Sequence, residues 1–187
     1  NGMMRIGEER RGVLLGVLAM TLVVTAANIL VQYPVNDFLT WGAFTYPAAF
    51  LITDLSNRAM GPRRARQVVF AGFAVAVLFS ALLATPRIAL ASGSAFLAAQ
   101  LLDVFLFDRL RGGVWWRAPI VSSSIASLLD TALFFALAFA GTPVPWMTLA
   151  LGDYAVKLAL ALLMLLPFRL LMPLLPPRAP IEARVRS

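Results

Sequence analysis

Long apolar stretches separated by short polar gaps dominate the chain. Windows of about 19 residues find six stretches that are long enough to cross a bilayer as helices, at roughly 12–33, 38–57, 67–86, 89–107, 119–140 and 146–168. The pattern predicts an all-α, polytopic membrane protein in which residues 12–172 form one bundle of six transmembrane helices. Residues 1–11 precede the bundle, and the proline-rich residues 173–187 are expected to form a flexible tail.

Arginine residues cluster in alternate gaps, and the other gaps contain only Arg87. Because positively charged loops resist translocation, we predict a multi-pass membrane protein with both termini in the cytoplasm. The net charge of +7 is then expected to meet anionic lipid headgroups rather than nucleic acid. The clusters are Arg5, Arg10 and Arg11; Arg58, Arg63, Arg64 and Arg66; Arg109, Arg111 and Arg117; and Arg169, Arg178, Arg184 and Arg186.

The composition agrees with a membrane domain and excludes several chemistries. The chain is 60% hydrophobic and only 13% charged, and its mean hydropathy is +0.83. It contains no cysteine and no histidine, so thiol nucleophiles, Ser-His-Asp hydrolysis and Cys or His metal sites are excluded. No glycine-rich phosphate loop is present either. We therefore expect no metal, no cofactor and no enzymatic activity.

Polar side chains recur on one face of five of the six stretches. In the first, Thr21, Thr25, Asn28 and Gln32 follow offsets 0, 4, 7 and 11, which keeps them on one face at about 100° per residue. A charge near the centre of a span costs about 2.5–3.5 kcal/mol if it faces lipid, so these faces should point into the bundle. The other faces are Tyr46, Phe50, Asp54 and Asn57; Phe96, Gln100, Asp103 and Phe107; Ser123, Ser127, Asp130 and Phe134; and Trp146, Ala150, Asp153 and Lys157.

Each of these polar residues also has a simpler structural interpretation. Asp153 and Lys157 can neutralise each other, because an acid four positions before a base is the favourable order on a helix. Asp54 can form an interfacial ion pair with Arg58, and Arg87 can be a tolerated exception on the outer side rather than an entrance or gate. Amides in membrane bundles also hydrogen-bond neighbouring helices together, which applies to Asn28 and Gln32.

Several motifs along the chain together resemble the queuosine precursor transporter family, also called the vitamin-uptake-transporter (VUT) family. The similarity runs from about Asn28 to Lys157. The residues that carry it are Asn28-Ile-Leu-Val-Gln32 with Pro34, Thr40-Trp-Gly-Ala-Phe44, Pro47, Phe50-Leu-Ile-Thr-Asp54 with Arg58 and Gly61, Arg87-Ile-Ala, Gln100-Leu-Leu-Asp103-Val with Phe107, Arg109-Leu-Arg111, Trp115-Trp116, Asp130-Thr131, and Asp153-Tyr154 with Lys157.

The resemblance implies uptake across the bacterial inner membrane of a purine-like 7-deazaguanine base, such as 7-cyano-7-deazaguanine, for queuosine in tRNA. A carboxylate, Asp130 or Asp103, would accept the N–H and amino group of the base as a hydrogen-bonded pair. Amides would serve its carbonyl and ring nitrogens, and aromatic rings would stack on it. The expected substrate-binding residues are Asn28, Gln32, Asp54, Gln100, Asp103, Asp130 and Phe134. Asp153, Lys157 and Arg87 are expected to couple transport to protons or to gate the path of the substrate. In this interpretation Asp153 and Lys157 form a switchable ion pair that responds to protons.

Two other functions stay open. Six short helices around a vitamin-like ligand also suit the substrate-capturing subunit of a multi-component importer. The second is a membrane enzyme with paired aspartates, which would need acids clustered at one face to hold a metal. Here the aspartates lie at different depths, which argues against an enzyme. Uptake by a proton gradient and facilitated diffusion fit the sequence equally, and a homodimer is reasonable for so small a bundle.

Overall fold

The computed structural model describes residues 2–30, 33–36, 39–83 and 85–175, and within these ranges it contains six long α-helices. Each of the six apolar stretches overlaps one of these helices, so the prediction of six helices in this order is confirmed. The helices are α1 Gly2–Leu30, α2 Gly42–Met60, α3 Pro62–Leu83, α4 Pro86–Leu110, α5 Arg117–Phe139 and α6 Trp146–Leu171, and a 3₁₀ turn, Met172–Leu174, follows the last.

Two features depart from the predicted boundaries. Helix α1 begins at Gly2, so the segment 1–11 that was predicted to precede the first span is largely continuous with it. Strands Pro34–Asn36 (β1) and Leu39–Thr40 (β2) pair antiparallel, so α2 begins at Gly42 rather than at residue 38. The proline at position 34 explains the break, because it cannot continue a helix. Apart from this short pair the described fold is helical, and the all-α class is confirmed.

Within the described residues, four helices are long and apolar enough to cross a membrane. These segments are Arg10–Ala27, Pro86–Leu110, Arg117–Phe139 and Trp146–Leu174. Helices α2 and α3 are not among them, and the predicted count of six spans stays a prediction. Leucines such as Leu22, Leu90 and Leu151 are more than 70% exposed, which suits a surface that faces lipid.

Helix α2 is the centre of the bundle, because it packs against α1, α3, α4 and α6 and also touches α5. Gly61 ends it in the left-handed region, φ 84°, and its N–H donates to the Asn57 carbonyl at 2.8 Å, which turns the chain sharply into α3. Helices α1 and α3 approach closely at Gly72, where a Cβ would lie 2.5 Å from Met20 Cγ. The apolar core between these helices and α4 includes Val68 and Phe96.

Candidate functional site

Buried polar side chains from three helices meet in the middle of the bundle. All of them are between 0 and 7% exposed. A group of this kind is expensive to bury without partners, so its presence inside an apolar bundle indicates function. This inner polar cluster consists of Thr53, Asp54 and Asn57 of α2, Gln100 and Asp103 of α4, and Ser122 and Ser123 of α5.

The carboxyl groups of Asp54 and Asp103 share one hydroxyl group. Ser123 Oγ lies 3.4 Å from Asp54 Oδ2 and 3.5 Å from Asp103 Oδ1. A hydroxyl has one proton, so it donates to only one carboxyl at a time. The other oxygens, Asp54 Oδ1 and Asp103 Oδ2, are buried and have no hydrogen-bond partner among the residues that the structure describes. Such atoms are rare in folded proteins, so they indicate a place where something binds.

Gln100 and Thr53 form an amide–hydroxyl pair in the same cluster. Thr53 Oγ1 lies 2.6 Å from Gln100 Oε1 and 3.0 Å from the Ala49 carbonyl oxygen. Because its single proton can be donated to either oxygen, Thr53 can match either orientation of the Gln100 amide. The amide nitrogen Nε2 has no partner within the described part of the chain. Gln100 can therefore offer a ligand a donor or, after the amide rotates, an acceptor.

Two hydrogen bonds fix the orientation of α2 relative to α4. Asn57 Nδ2 donates to the Val104 carbonyl oxygen at 2.8 Å. Arg111 Nη1 donates to the Asn57 carbonyl oxygen at 3.2 Å and also lies 3.2 Å from Asp108 Oδ1. These contacts satisfy the end of α2 and hold its polar face against α4.

A second polar group, here called the α5–α6 ion cluster, consists of Asp130, Thr131, Asp153 and Lys157. Lys157 Nζ lies 2.7 Å from Asp130 Oδ2 and 2.6 Å from Asp153 Oδ2. It also donates to Thr131 Oγ1 at 3.1 Å, and that hydroxyl lies 2.7 Å from Asp153 Oδ2. The ion pair within α6 agrees with the helical spacing, but the contact from Lys157 to Asp130 on α5 was not predicted.

A small cavity joins the two polar groups. Its polar lining comes from Asp54, Ser123, Ser127 and Lys157, and apolar side chains such as Phe50 complete the wall. The space open to the centre of a water molecule is about 20 Å³, room for one or two waters. A nucleobase does not fit this arrangement, so its entry requires the helices to separate. Asp103 does not line the cavity and lies behind Asp54.

The structure leaves two of the expected site residues away from both polar groups. Phe134 packs edge-to-face on Phe135, with ring centroids 5.2 Å apart, and does not line the cavity. Arg87 donates from Nε to the Leu137 carbonyl oxygen at 2.9 Å and from Nη2 to the Ala140 carbonyl oxygen at 2.6 Å. It therefore caps the carboxyl end of α5.

Two further expected residues lie where the structure gives no side-chain information. Asn28 falls within α1, but its side chain is outside the described part of the structure, and Gln32 lies outside the described residues altogether. Their assignment to the substrate site stays a prediction.

Sequence reasoning missed Thr53 and Ser122 as members of the inner polar cluster. Thr53 directly precedes Asp54, and Ser122 directly precedes Ser123, which both lie on predicted polar faces. Counting the polar neighbours of each face residue as part of the face would have included them. Thr53 also lies four positions before Asn57, which is helical spacing.

A bundle of apolar helices that encloses carboxyl, amide and ammonium groups around a cavity has the arrangement of a multi-pass membrane transporter. The comparison with known proteins agrees. Residues 40–85 and 80–172 match the family described as "Putative vitamin uptake transporter", and the chain belongs to that family. The resemblance found in the motifs is thereby confirmed, and the chain is a transporter rather than an enzyme.

Three curated relatives carry closely related names. The "Queuosine precursor transporter" of Escherichia coli (strain K12) is 37% identical over 78% of this chain and 79% of its own length. The "Probable queuosine precursor transporter" of Haemophilus influenzae is 32% identical over 86% of both chains. The Bacillus subtilis (strain 168) protein of the same name is 28% identical over 74% of this chain and 75% of its own. No solved structure matches the chain.

Proposed function

We propose that this chain imports a queuosine precursor, a 7-deazaguanine base such as 7-cyano-7-deazaguanine, across the bacterial inner membrane. The names of the relatives support the substrate class. The observation that carries the proposal is the set of unpartnered buried atoms in the inner polar cluster: Asp54 Oδ1, Asp103 Oδ2 and one end of the Gln100 amide. A guanine-like edge presents two N–H donors and a carbonyl, which need two acceptors and a donor in return.

The cavity supports a narrower choice of roles than the sequence did. Asp54 lines the cavity, and in this proposal it accepts the N–H and amino group of the base. The Gln100 amide does not line the closed cavity, and it pairs with the carbonyl of the base once the helices separate. Phe50, also on the cavity wall, stacks on the base, which contributes about 1–3 kcal/mol. Asp130 is already bound to Lys157, so it acts through the ion cluster rather than as the first reader of the base. Asn28 and Gln32 keep their expected role as further polar contacts.

The α5–α6 ion cluster serves as the gate. Lys157 lines the cavity and ties α6 to α5 through Asp130. A base enters only when α6 moves away, and the ion pairs of Asp153 and Asp130 with Lys157 must loosen for that motion. Arg87 anchors the end of α5 while α6 moves.

The membrane arrangement follows from the distribution of arginines. Six helices over residues 12–172 cross the bilayer, both termini lie in the cytoplasm, and residues 173–187 form a cytoplasmic tail. The arginine-rich gaps bind anionic lipid headgroups. A homodimer would bury part of the exposed leucine surface of α1 or α6, for example Leu22 or Leu151.

Uptake of radiolabelled 7-cyano-7-deazaguanine by cells that cannot make it tests the proposal. Cells with the wild-type protein should accumulate label, and Asp54→Asn should lower uptake at least about tenfold, because a charge-assisted hydrogen-bonded pair is lost. Asp108→Asn, which removes a partly exposed carboxyl outside the cavity, is the matched control and should leave uptake unchanged. Equal uptake by Asp54→Asn and wild type would contradict the assignment. Uptake that appears only with a co-purifying partner would favour the importer-subunit function.

A further inference from the structure

Asp54 and Asp103 form a carboxyl pair without a cation partner in the described part of the chain. Among the described residues, no lysine or arginine makes an ion pair with either carboxyl group, whereas Asp130 and Asp153 both contact Lys157. Asp54 is 2% exposed and Asp103 is fully buried. Two adjacent ionised carboxylates in such surroundings repel each other strongly and also lose their hydration. The favourable charge state of a pair of this kind is one carboxylate and one carboxylic acid.

The hydrogen bonds around the pair leave room for a proton. Asp54 Oδ1 and Asp103 Oδ2 lack donors within the described chain. The fully buried Ser122 hydroxyl lies beside both carboxyl groups without a well-formed hydrogen bond to either. The Gln100 amide nitrogen, also fully buried, is unpartnered there. Of these groups, the two carboxyl oxygens lack a donor, and one proton on the pair would supply it.

The charges on the surrounding helices do not replace this proton. Lys157 lines the same cavity as Asp54, but Asp130 and Asp153 already bind it. None of the described charged residues on the packed helices forms an ion pair with Asp54 or Asp103. They are Arg10 and Arg11 of α1; Arg58 of α2; Arg63, Arg64 and Arg66 of α3; Arg87, Asp108 and Arg109 of α4, with Arg111 after it; Arg117 and Asp130 of α5; and Asp153, Lys157 and Arg169 of α6.

We propose that Asp54 and Asp103 together hold one exchangeable proton, and that Asp103 keeps this proton while Asp54 binds the base. The cavity distinguishes the two roles, because Asp54 borders it and Asp103 lies behind. Donors arriving from a base favour the ionised form of Asp54, so the proton moves fully to Asp103. The second part of this proposal rests on the proposed function; the first part does not.

The proton balance of the site follows from these two states. The empty pair holds one proton, and the pair with a bound base still holds one proton, now on Asp103. Binding of the base therefore takes up and releases no net proton, and no bond other than O–H is formed or broken. Asp103 is thus a positioning residue that sets the charge of Asp54.

Infrared spectroscopy of the purified protein without any base tests the first part. At neutral pH the wild type should show the C=O stretch of a protonated carboxyl group. Asp54→Asn and Asp103→Asn should each remove or shift this band, because the hydrogen bond between acid and carboxylate is gone, and Asp108→Asn should leave it unchanged. A wild type without such a band, or a band that is unchanged in either pair variant, overturns the proposal whatever the substrate is.

Base binding to the purified protein tests the second part. The empty and the loaded wild-type sites hold the same number of protons, so the affinity for 7-cyano-7-deazaguanine should not change with pH near neutrality, and the band of the protonated carboxyl group should persist with the base bound. Asp103→Asn keeps the shape and supplies an N–H donor to Asp54, so it should still bind the base, but its base-bound form should show no such band. Asp54→Asn should lose base binding itself.

The outcomes separate the two proposals. A wild-type band that disappears when the base binds, or a band that persists in base-bound Asp103→Asn, would overturn the assignment of the proton to Asp103. A loss of base binding in Asp103→Asn as complete as in Asp54→Asn would overturn it too. Failure of the wild type to bind the base, together with the expected infrared bands without base, would refute the proposed substrate and leave the proton site supported.

Discussion

Lys157 binds Asp130 across the interface between α5 and α6, with its Nζ 2.7 Å from Asp130 Oδ2. The same ammonium group lies 2.6 Å from Asp153 Oδ2 on its own helix. One cation thus serves two acids, and the Asp130 contact is the one that joins the helices. Helix α6 packs mainly on α5 and α2, so this contact holds its inner face in place.

Replacing Lys157 should therefore cost much more stability than replacing Asp153. Lys157→Met leaves the carboxyl groups of Asp130 and Asp153 without their cation, which should lower the free energy of unfolding by about 3–5 kcal/mol. Asp153→Asn leaves Lys157 paired with Asp130 and should cost about 1 kcal/mol. Unfolding in detergent measures both. A similar loss in the two variants would show that the contact across α5 and α6 contributes little.

Thr53→Val should weaken base binding without changing side-chain shape. Without the hydroxyl, the Gln100 amide loses its partner and its orientation, and we expect about a tenfold loss of affinity. Thr53→Ser keeps the hydroxyl and is the control. Calorimetric titration with 7-cyano-7-deazaguanine measures both variants, and equal affinity of Thr53→Val and wild type would remove Gln100 from the site.

The sequence was sufficient to predict which faces of α4 and α5 point inward. Gln100, Asp103, Ser123 and Asp130 lay on the predicted polar faces, and all are buried. The offsets could not show which faces meet, because helical spacing says nothing about the rotation of one helix against another. The pairing of Asp130 with Lys157 depends on that rotation.

Arg87 and the pair of strands β1 and β2 show a second limit of the sequence. The outer position of Arg87 suggested an entrance, but its partners are carbonyl oxygens at the end of α5. Every residue has a backbone carbonyl, so the sequence cannot show which carbonyl groups a side chain will bind. The pairing of β1 with β2 was missed because windows of about 19 residues average over elements so short.

Gly72→Ala should destabilise the protein, whereas Gly152→Ala should not. A Cβ at Gly72 would lie 2.5 Å from Met20 Cγ, and overpacking of this kind costs about 1–3 kcal/mol. A Cβ at Gly152 meets nothing within 4 Å, and alanine is the better helix former. Thermal unfolding in detergent compares the two, and equal melting temperatures would contradict the close contact of α1 with α3.

Arg87→Ala should lower stability and leave the base affinity unchanged. The variant removes two hydrogen bonds to the end of α5, worth about 1–3 kcal/mol together. Lysine has a single ammonium group in place of the guanidinium fork, so Arg87→Lys should recover only part of the loss. Unfolding and base binding are measured on the same samples. A loss of binding free energy larger than the loss of unfolding free energy would indicate that Arg87 contributes to the substrate path.

Single cysteines should report the predicted orientation directly, because the chain has no cysteine of its own. Gly112 follows α4 in an arginine-rich gap, and Pro143 lies between α5 and α6; both are exposed. A membrane-impermeant maleimide added to intact spheroplasts should label Pro143→Cys and not Gly112→Cys, and lysis should make both reactive. Uptake of the base by each variant confirms that it is folded. Labelling of Gly112→Cys in intact spheroplasts would reverse the orientation, and labelling of both would mean that α5 does not cross the membrane.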